Sequence, residues 1–294
     1  MITFLRFARA HTVVGTTLSL LTLYLMAVRS SGHTDGWVLA VSLFSCLCAN
    51  VYITGLNQLT DIEIDRINKP YLPLASGAYS VSAGRWIIGV CGLLAVVTCL
   101  AYPPWLTLTV LLSLGLGTAY SAEPIRLKRY HFWAAFCIIT VRGLIVNLLL
   151  YLHFYGNLAR TQVRGEGWTA WLTPNVLLLT AIIFVFGLII AWFKDLPDTE
   201  GDAEHGIRTL SLLRSKQWVY RTGAWLLAVT LLIAALGCLL TARYGLGGGL
   251  LVLLAGFGWN TTRLDLEQQS SIAAFYQGTW GVFFGVYLVF AVWG

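Results

Sequence analysis

The chain has 294 residues, of which 57% are hydrophobic and only 11% charged, and its mean hydropathy is +0.74. A soluble domain carries about 25% charged residues, so this composition excludes an ordinary water-soluble fold and requires surface that faces lipid. The net charge of +6 fits a multi-pass protein with basic loops on one side of a bilayer, and no nucleic-acid partner is expected.

A membrane span needs about 20 apolar residues. Nine candidate runs follow in chain order: 11–28, 38–58, 86–101, 105–121, 132–153, 175–193, 223–241, 246–259 and 275–293. The third and eighth are the shortest. Tyr102-Pro103-Pro104 separates the third from the fourth and forbids one continued helix. The first run opens after FLRFARAH and has neither a small-residue cleavage site nor a Ser-rich transit leader, so a bacterial membrane is the expected location. All six cysteines lie inside apolar runs without C-x-x-C spacing and read as small buried hydrophobes.

Lysine and arginine set the orientation. Fourteen of the nineteen fall at the amino terminus or in the loops after even-numbered spans; Arg29, Arg160, Arg164 and Arg243 lie on the other side. The remaining one, Arg142, is inside the fifth span. This bias predicts a cytoplasmic amino terminus and an external carboxy terminus.

Eight of the thirteen acidic residues fall in two short segments, NQLTDIEID (57–65) and KDLPDTEGDAE (194–204). Both stand where a span reaches the cytoplasmic side, four spans apart, so the two helices run in the same direction and their acids can face one another. Asn57, Asp61 and Asp65 are spaced i, i+4, i+8, a single stripe if the segment is one α-helix, drifting about 40° per step. Asp195, Asp198 and Asp202 make a second stripe, weakened by Pro197. Five carboxylates converging at a membrane edge repel one another without a cation, and hard oxygen donors of this kind suit Mg²⁺. The bland alternative is a solvated loop. A cation transporter is another, but its acids would lie near the bilayer midplane rather than at span ends.

Bases accompany the acids: Arg66 and Lys69 after the first segment, Lys194 and Arg208 around the second, and Arg126 and Lys128 in YSAEPIRLKR. Mg²⁺ with lysine and arginine is how proteins hold a diphosphate and neutralise it as it leaves. Arg126, Lys128 and Arg129 also read as simple positive-inside anchoring. Within the fifth span, Arg142 costs at least about 2.5 kcal/mol on insertion scales and needs an anionic partner or a wet cavity. It pairs either with one of the aspartates or with an anionic substrate.

The segments NQLTDIEIDRINKPYLPLASG and KDLPDTEGDAEHGIRTLS resemble the two Asp-rich motifs of the UbiA superfamily of intramembrane prenyltransferases. YSAEPIRLKR, VRGLIVNL and the stretch Ala274 to Gln277 are similar to its homogentisate-prenylating branch. In that branch the opening reads R-P-H-T, where this chain has Ala10 in place of the proline; Arg214-Ser215 replaces a usual L-G. The resemblance implies an all-α bundle of nine spans around a central cavity, forming one domain over residues 1–294. It implies that Asn57, Asp61, Asp65, Asp195, Asp198 and Asp202 hold two Mg²⁺ ions bridged by a prenyl diphosphate, with Asp61 and Asp198 central to catalysis.

The implied reaction transfers a prenyl group, phytyl the expected chain, to homogentisate with loss of CO₂ and diphosphate, a step of tocopherol biosynthesis. Arg66, Lys69, Arg126, Lys128, Lys194 and Arg208 would stabilise the leaving group. Tyr120 would face the allylic cation, and Arg142 or Asn147 would orient the acceptor. The lack of a leader favours a bacterial membrane, a cyanobacterial one being the expectation, over a plastid import route. Chlorophyll synthase and 4-hydroxybenzoate polyprenyltransferases share the metal motifs and remain alternatives.

Overall fold

The computed structural model describes residues 2–159, 167–197 and 209–294, and among them all regular structure is helical. In chain order the helices are α1 (Ile2–Phe7), α2 (Ala10–Ser31), α3 (Gly36–Thr60), α4 (Ile62–Asn68), α5 (Val81–Cys99) and α6 (Trp105–Ser121). They continue with α7 (His131–Leu158), α8 (Pro174–Phe193), α9 (Lys216–Leu240), α10 (Tyr244–Thr262) and α11 (Gln269–Trp293).

Local chemistry fixes where several of these begin. The Asp35 carboxylate accepts from the amides of Trp37 and Val38 at 3.0 and 3.2 Å and opens α3. Ser80, Thr173 and Ser215 do the same for α5, α8 and α9, and Pro174 occupies the first turn of α8. Each satisfies an amide that the helix itself leaves orphaned. Gly32, at φ 73°, closes α2 in the left-handed conformation that glycine adopts without strain.

Seven of the described helices are long and apolar enough to cross a membrane: α2, α3, α5, α7, α8, α9 and α11. The chain is therefore a multi-pass membrane protein. The expected count of nine is not reached on that criterion. The fourth predicted span is α6, a shorter apolar helix, and the eighth is α10, whose glycines, Asn260 and two threonines dilute its apolar character. The third span, expected to be short, begins earlier than predicted, at Val81.

The spans pack as a closed ring in which α2 meets α3 on one side and α11 on the other. The hydroxyl of Thr22 donates to the carbonyl of Tyr287 at 3.0 Å, and Arg29 donates to the last carbonyls of α11, at 3.0 Å for Gly294. These contacts tie the first span to the last. The ring leaves an interior cavity of about 810 Å³.

The middle of α7, Ile139–Leu149, is a π-helix. Two glycines let it press on α8: a Cβ on Gly143 would lie 2.9 Å from the Cα of Phe184, and one on Gly187 would lie 3.3 Å from the Cα of Ile139. Small residues of this kind allow backbones to approach inside a bilayer. Wider turns leave carbonyls poorly served, and the Asn147 amide donates to those of Arg142 and Gly143, both at 2.9 Å. π-turns often mark functional positions, and this one carries Arg142.

Candidate active site

The first acidic segment is not one helix. α3 ends at Thr60, Asp61 sits at φ −119° and ψ 19° between helices, and α4 starts at Ile62. The simple helical stripe is thus broken at its middle member, yet Asn57, Asp61 and Asp65 all line the cavity. The second segment departs likewise. α8 closes at Phe193, and Asp195 and Leu196 continue in tighter turns that donate to Trp192 and Phe193 carbonyls. Asp195 and Lys194 line the same cavity. Asp198, Asp202 and Arg208 lie outside the described residues.

Around Asp61 the charges are dense. Lys128 Nζ is 2.5 Å from Asp61 Oδ1 and Arg126 Nη2 is 3.0 Å from the same oxygen. The Asn57 amide donates to Asp61 Oδ2 at 3.1 Å. Lys128 also donates to Thr60 Oγ1 at 3.1 Å. Burial draws the Lys128 ammonium down to about 8, with Arg126 and Lys194 adding to the effect and Asp61 opposing it. Opposite, Lys194 donates to the Tyr120 hydroxyl and to Asp195 Oδ1, each at 3.0 Å. There burial would depress the ammonium, but Asp195 and Tyr120 outweigh it and hold the group well above its ordinary value.

Not every predicted residue belongs here. Arg66 pairs with Glu63 at 2.7 Å, both largely exposed, and does not line the cavity. Asn147 is fully buried, its amide spent on the π-helix and its Oδ1 accepting from the Tyr287 hydroxyl at 2.8 Å. It braces α7 against α11 rather than facing an acceptor. Lys69, Tyr120 and Arg142 do line the cavity, whereas Arg126 reaches Asp61 from beside it.

Arg142 makes no ion pair among the described residues. Its guanidinium lies over Trp280, 4.7 Å from the ring centre, and 5.6 Å from that of Phe283. Aromatic faces offset part of the cost of a cation at this depth. The structure also adds residues that the sequence reading passed over. Arg9 donates to Asn57 Oδ1 at 2.8 Å, and Arg9, His11, Tyr276 and Trp280 line the cavity. In the sequence Arg9 bears on orientation and, with His11, on the opening similar to R-P-H-T, neither of which assigns it a role in the site. A signal for both Arg9 and His11 existed in the FARAHT stretch, where an arginine and a histidine crowd the mouth of an apolar run.

The donors fit a hard divalent cation. Among the described residues no three His, Cys, Asp or Glu side chains converge as a ready-made metal site. Mg²⁺ does not need that; it binds through one or two carboxylates and fills its shell with water and phosphate oxygens. Asp61, Asp65 and Asp195 line one cavity, with Lys128 and Arg126 beside the first and Lys194 beside the last.

A ring of membrane helices, enclosing an amphipathic cavity with acids and bases at its mouth and a lone arginine deeper in, defines an intramembrane enzyme of lipid-tailed substrates. The chain belongs to the UbiA prenyltransferase family, whose sequence profile matches residues 18–288. It is 43% identical to homogentisate phytyltransferase of Synechocystis sp., over 99% of this chain and 95% of that one. It is 35% identical to homogentisate phytyltransferase 1 of Arabidopsis thaliana, over 97% of this chain and 74% of that one. The fold is similar to that of a UbiA homologue from Archaeoglobus fulgidus solved with GPP and Mg²⁺, with a TM-score of 0.61 and 16% identity, covering 96% and 99% of the two chains.

Proposed function

We propose that the chain is a single catalytic domain over residues 1–294. It transfers a prenyl group, phytyl in the first instance, from its diphosphate to homogentisate, releasing CO₂ and diphosphate. The observation that carries this reading is the shared cavity: Asp61 with its bases at one level, and at another Arg142, which has no counter-ion among the described residues. Such a cavity suits one substrate with a metal-chelated diphosphate and a second with a carboxylate. The names of the Synechocystis and Arabidopsis relatives support homogentisate as that acceptor. The Archaeoglobus homologue, solved with GPP and Mg²⁺, supports a magnesium-dependent prenyl diphosphate site.

Asn57, Asp61, Asp65 and Asp195 are the described residues that would hold Mg²⁺, with Asp198 and Asp202 as further ligands, and two bridged ions are the finer expectation. When bound, the metal offsets the phosphate charge and stabilises the departing diphosphate. Lys69, Lys128, Arg126, Lys194 and Arg208 lend their charges to the same oxygens, and Arg9 positions Asn57. The Tyr120 ring faces the allylic carbon as positive charge develops there. Apolar walls such as Ile53, Val110 and Leu150 hold the prenyl chain and keep water from the cation. Arg142 binds the carboxylate of the acceptor and turns its ring toward the diphosphate end. The motifs face the cytoplasm of a bacterial, cyanobacterial, membrane.

An acceptor panel tests the reading. Purified protein in nanodiscs with phytyl diphosphate and Mg²⁺ should prenylate homogentisate and leave chlorophyllide and 4-hydroxybenzoate unchanged. Prenylation of either of the latter with homogentisate inert would move the protein to another branch of the family.

A further inference from the structure

Besides His131, which touches the cavity from the exposed start of α7, two histidines lie inside the bundle, and their surroundings differ. His153 has both ring nitrogens occupied, Nε2 by the Ser42 hydroxyl at 2.9 Å and Nδ1 by the Asn157 amide at 3.2 Å. It is a structural histidine. His11 lines the cavity and stands edge-on to Trp280, with ring centres 4.9 Å apart. Among the described residues neither of its nitrogens has a hydrogen-bond partner, and neither is sealed from the cavity. A helix that leaves an imidazole with two open nitrogens in a reaction chamber has left it for a ligand.

The position along α2 says which part of the ligand. Arg9, at the mouth, holds Asn57 of the acidic segment. His11 follows about 3 Å further along the axis. Gly15 comes one turn later on the same face as His11, and a Cβ there would lie 3.6 Å from Arg142 Nη1 and 3.5 Å from Trp280. The order along this wall is therefore diphosphate end, His11, carboxylate anchor. One helical turn, about 5.4 Å, is close to the span of an aromatic ring. An arylacetate with its carboxylate on Arg142 lays its ring beside His11.

The chemistry of that acceptor defines a task at this spot. A ring carbon attacks the allylic carbon with a ring π pair, and the allylic C–O bond breaks with its pair leaving on diphosphate. The prenylated ring carbon then gives up its proton, and the C–H pair restores the aromatic system. The carboxylate leaves as CO₂, its bonding pair stays on the methylene carbon, and that carbon takes one proton to become methyl. One proton is lost and one is gained, so the sum needs no outside acid or base. It needs a group that holds a proton between two carbons of one substrate. Lys128 and Lys194 are engaged with carboxylates, and the Tyr287 hydroxyl is committed to Asn147.

We infer that His11 is the catalytic residue that takes the ring proton and returns it to the methylene carbon. Arg9, Lys69 and Arg142 line the same cavity as His11, and the bound diphosphate and carboxylate set negative charge against them while the imidazole carries its proton. This inference rests on the homogentisate reading above.

The test is steady-state and isotopic, on full-length protein in nanodiscs. His11→Asn, His11→Ala and, as a comparator, Arg66→Ala are assayed with homogentisate carrying deuterium at the ring carbon that receives the prenyl group. In His11→Asn and His11→Ala, kcat should fall about 100-fold with KM for both substrates nearly unchanged. A primary isotope effect absent from wild type should appear, and added imidazole should restore turnover to His11→Ala. Arg66→Ala, outside the cavity, should do none of this. Full activity in the His11 variants, a loss without isotope effect or imidazole rescue in folded protein, or the same signature in Arg66→Ala would overturn the assignment. Wild-type protein that does not prenylate homogentisate would instead refute the proposed function.

Discussion

Lys128 lies 2.5 Å from Asp61 across the connection between α6 and α7. This contact joins the first acidic segment to the basic stretch that follows the fourth span. Both groups are largely buried, so the pair is held in a medium where charge counts for more than at a surface. Lys128→Met should raise KM for the prenyl diphosphate by about tenfold or more, the scale of one charge-assisted hydrogen bond. Arg66→Ala, which breaks only an exposed pair with Glu63, should stay within about twofold of wild type. Initial rates against prenyl diphosphate concentration measure both.

Arg142 and its aromatic seat give a split between the substrates. Arg142→Gln should raise KM for homogentisate strongly while leaving KM for the prenyl diphosphate near its normal value. Arg142→Lys should recover little, because a lysine ammonium lacks the planar fork that meets a carboxylate over the Trp280 ring. Equal effects on both substrates would place Arg142 with the diphosphate instead.

Asn147 predicts a stability effect. Asn147→Leu leaves the carbonyls of Arg142 and Gly143 and the hydroxyl of Tyr287 without their partner, and should cost about 2 kcal/mol or more. Tyr287→Phe removes only one bond and should cost about 1 kcal/mol. Thermal unfolding in detergent should rank Asn147→Leu below Tyr287→Phe, and both below wild type.

Gly143 is the tightest backbone approach between α7 and α8. Gly143→Ala sets a methyl 2.9 Å from the Phe184 Cα, a position that cannot swing aside. Overpacking of this kind costs about 1 to 3 kcal/mol, and it should lower the unfolding temperature. Gly115→Ala, where nothing lies within 4 Å, is the control that should leave it unchanged.

Much of this was legible in the sequence because it rests on composition and short-range pattern. Apolar runs gave the long spans, and acids at span ends gave the cavity mouth with Asp61, Asp65 and Asp195. What the pattern missed depends on packing. A periodic stripe assumes an unbroken helix, but the chain turns at Asp61 and again after Phe193. Arg66 and Lys128 read alike as basic residues near acids; only tertiary contacts send one to Glu63 and the other to Asp61. Asn147 and Arg142 read alike as polar residues in one span. The π-helix absorbs the first and leaves the second facing the cavity. The FARAHT stretch marks His11, but the Trp280 ring that stands against it comes from a distant part of the chain, so the pattern alone gives it no role.

The most direct measurement of the central claim follows the acceptor's carboxylate. Nanodisc-embedded protein is given phytyl diphosphate, Mg²⁺ and homogentisate labelled in that carboxylate, with parallel samples containing EDTA or Asp61→Ala. The account predicts labelled CO₂ in step with a prenylated quinol, abolished by EDTA and reduced at least about 100-fold in the variant. Transfer that persists in EDTA, or an Asp61→Ala protein as active as wild type, would contradict it.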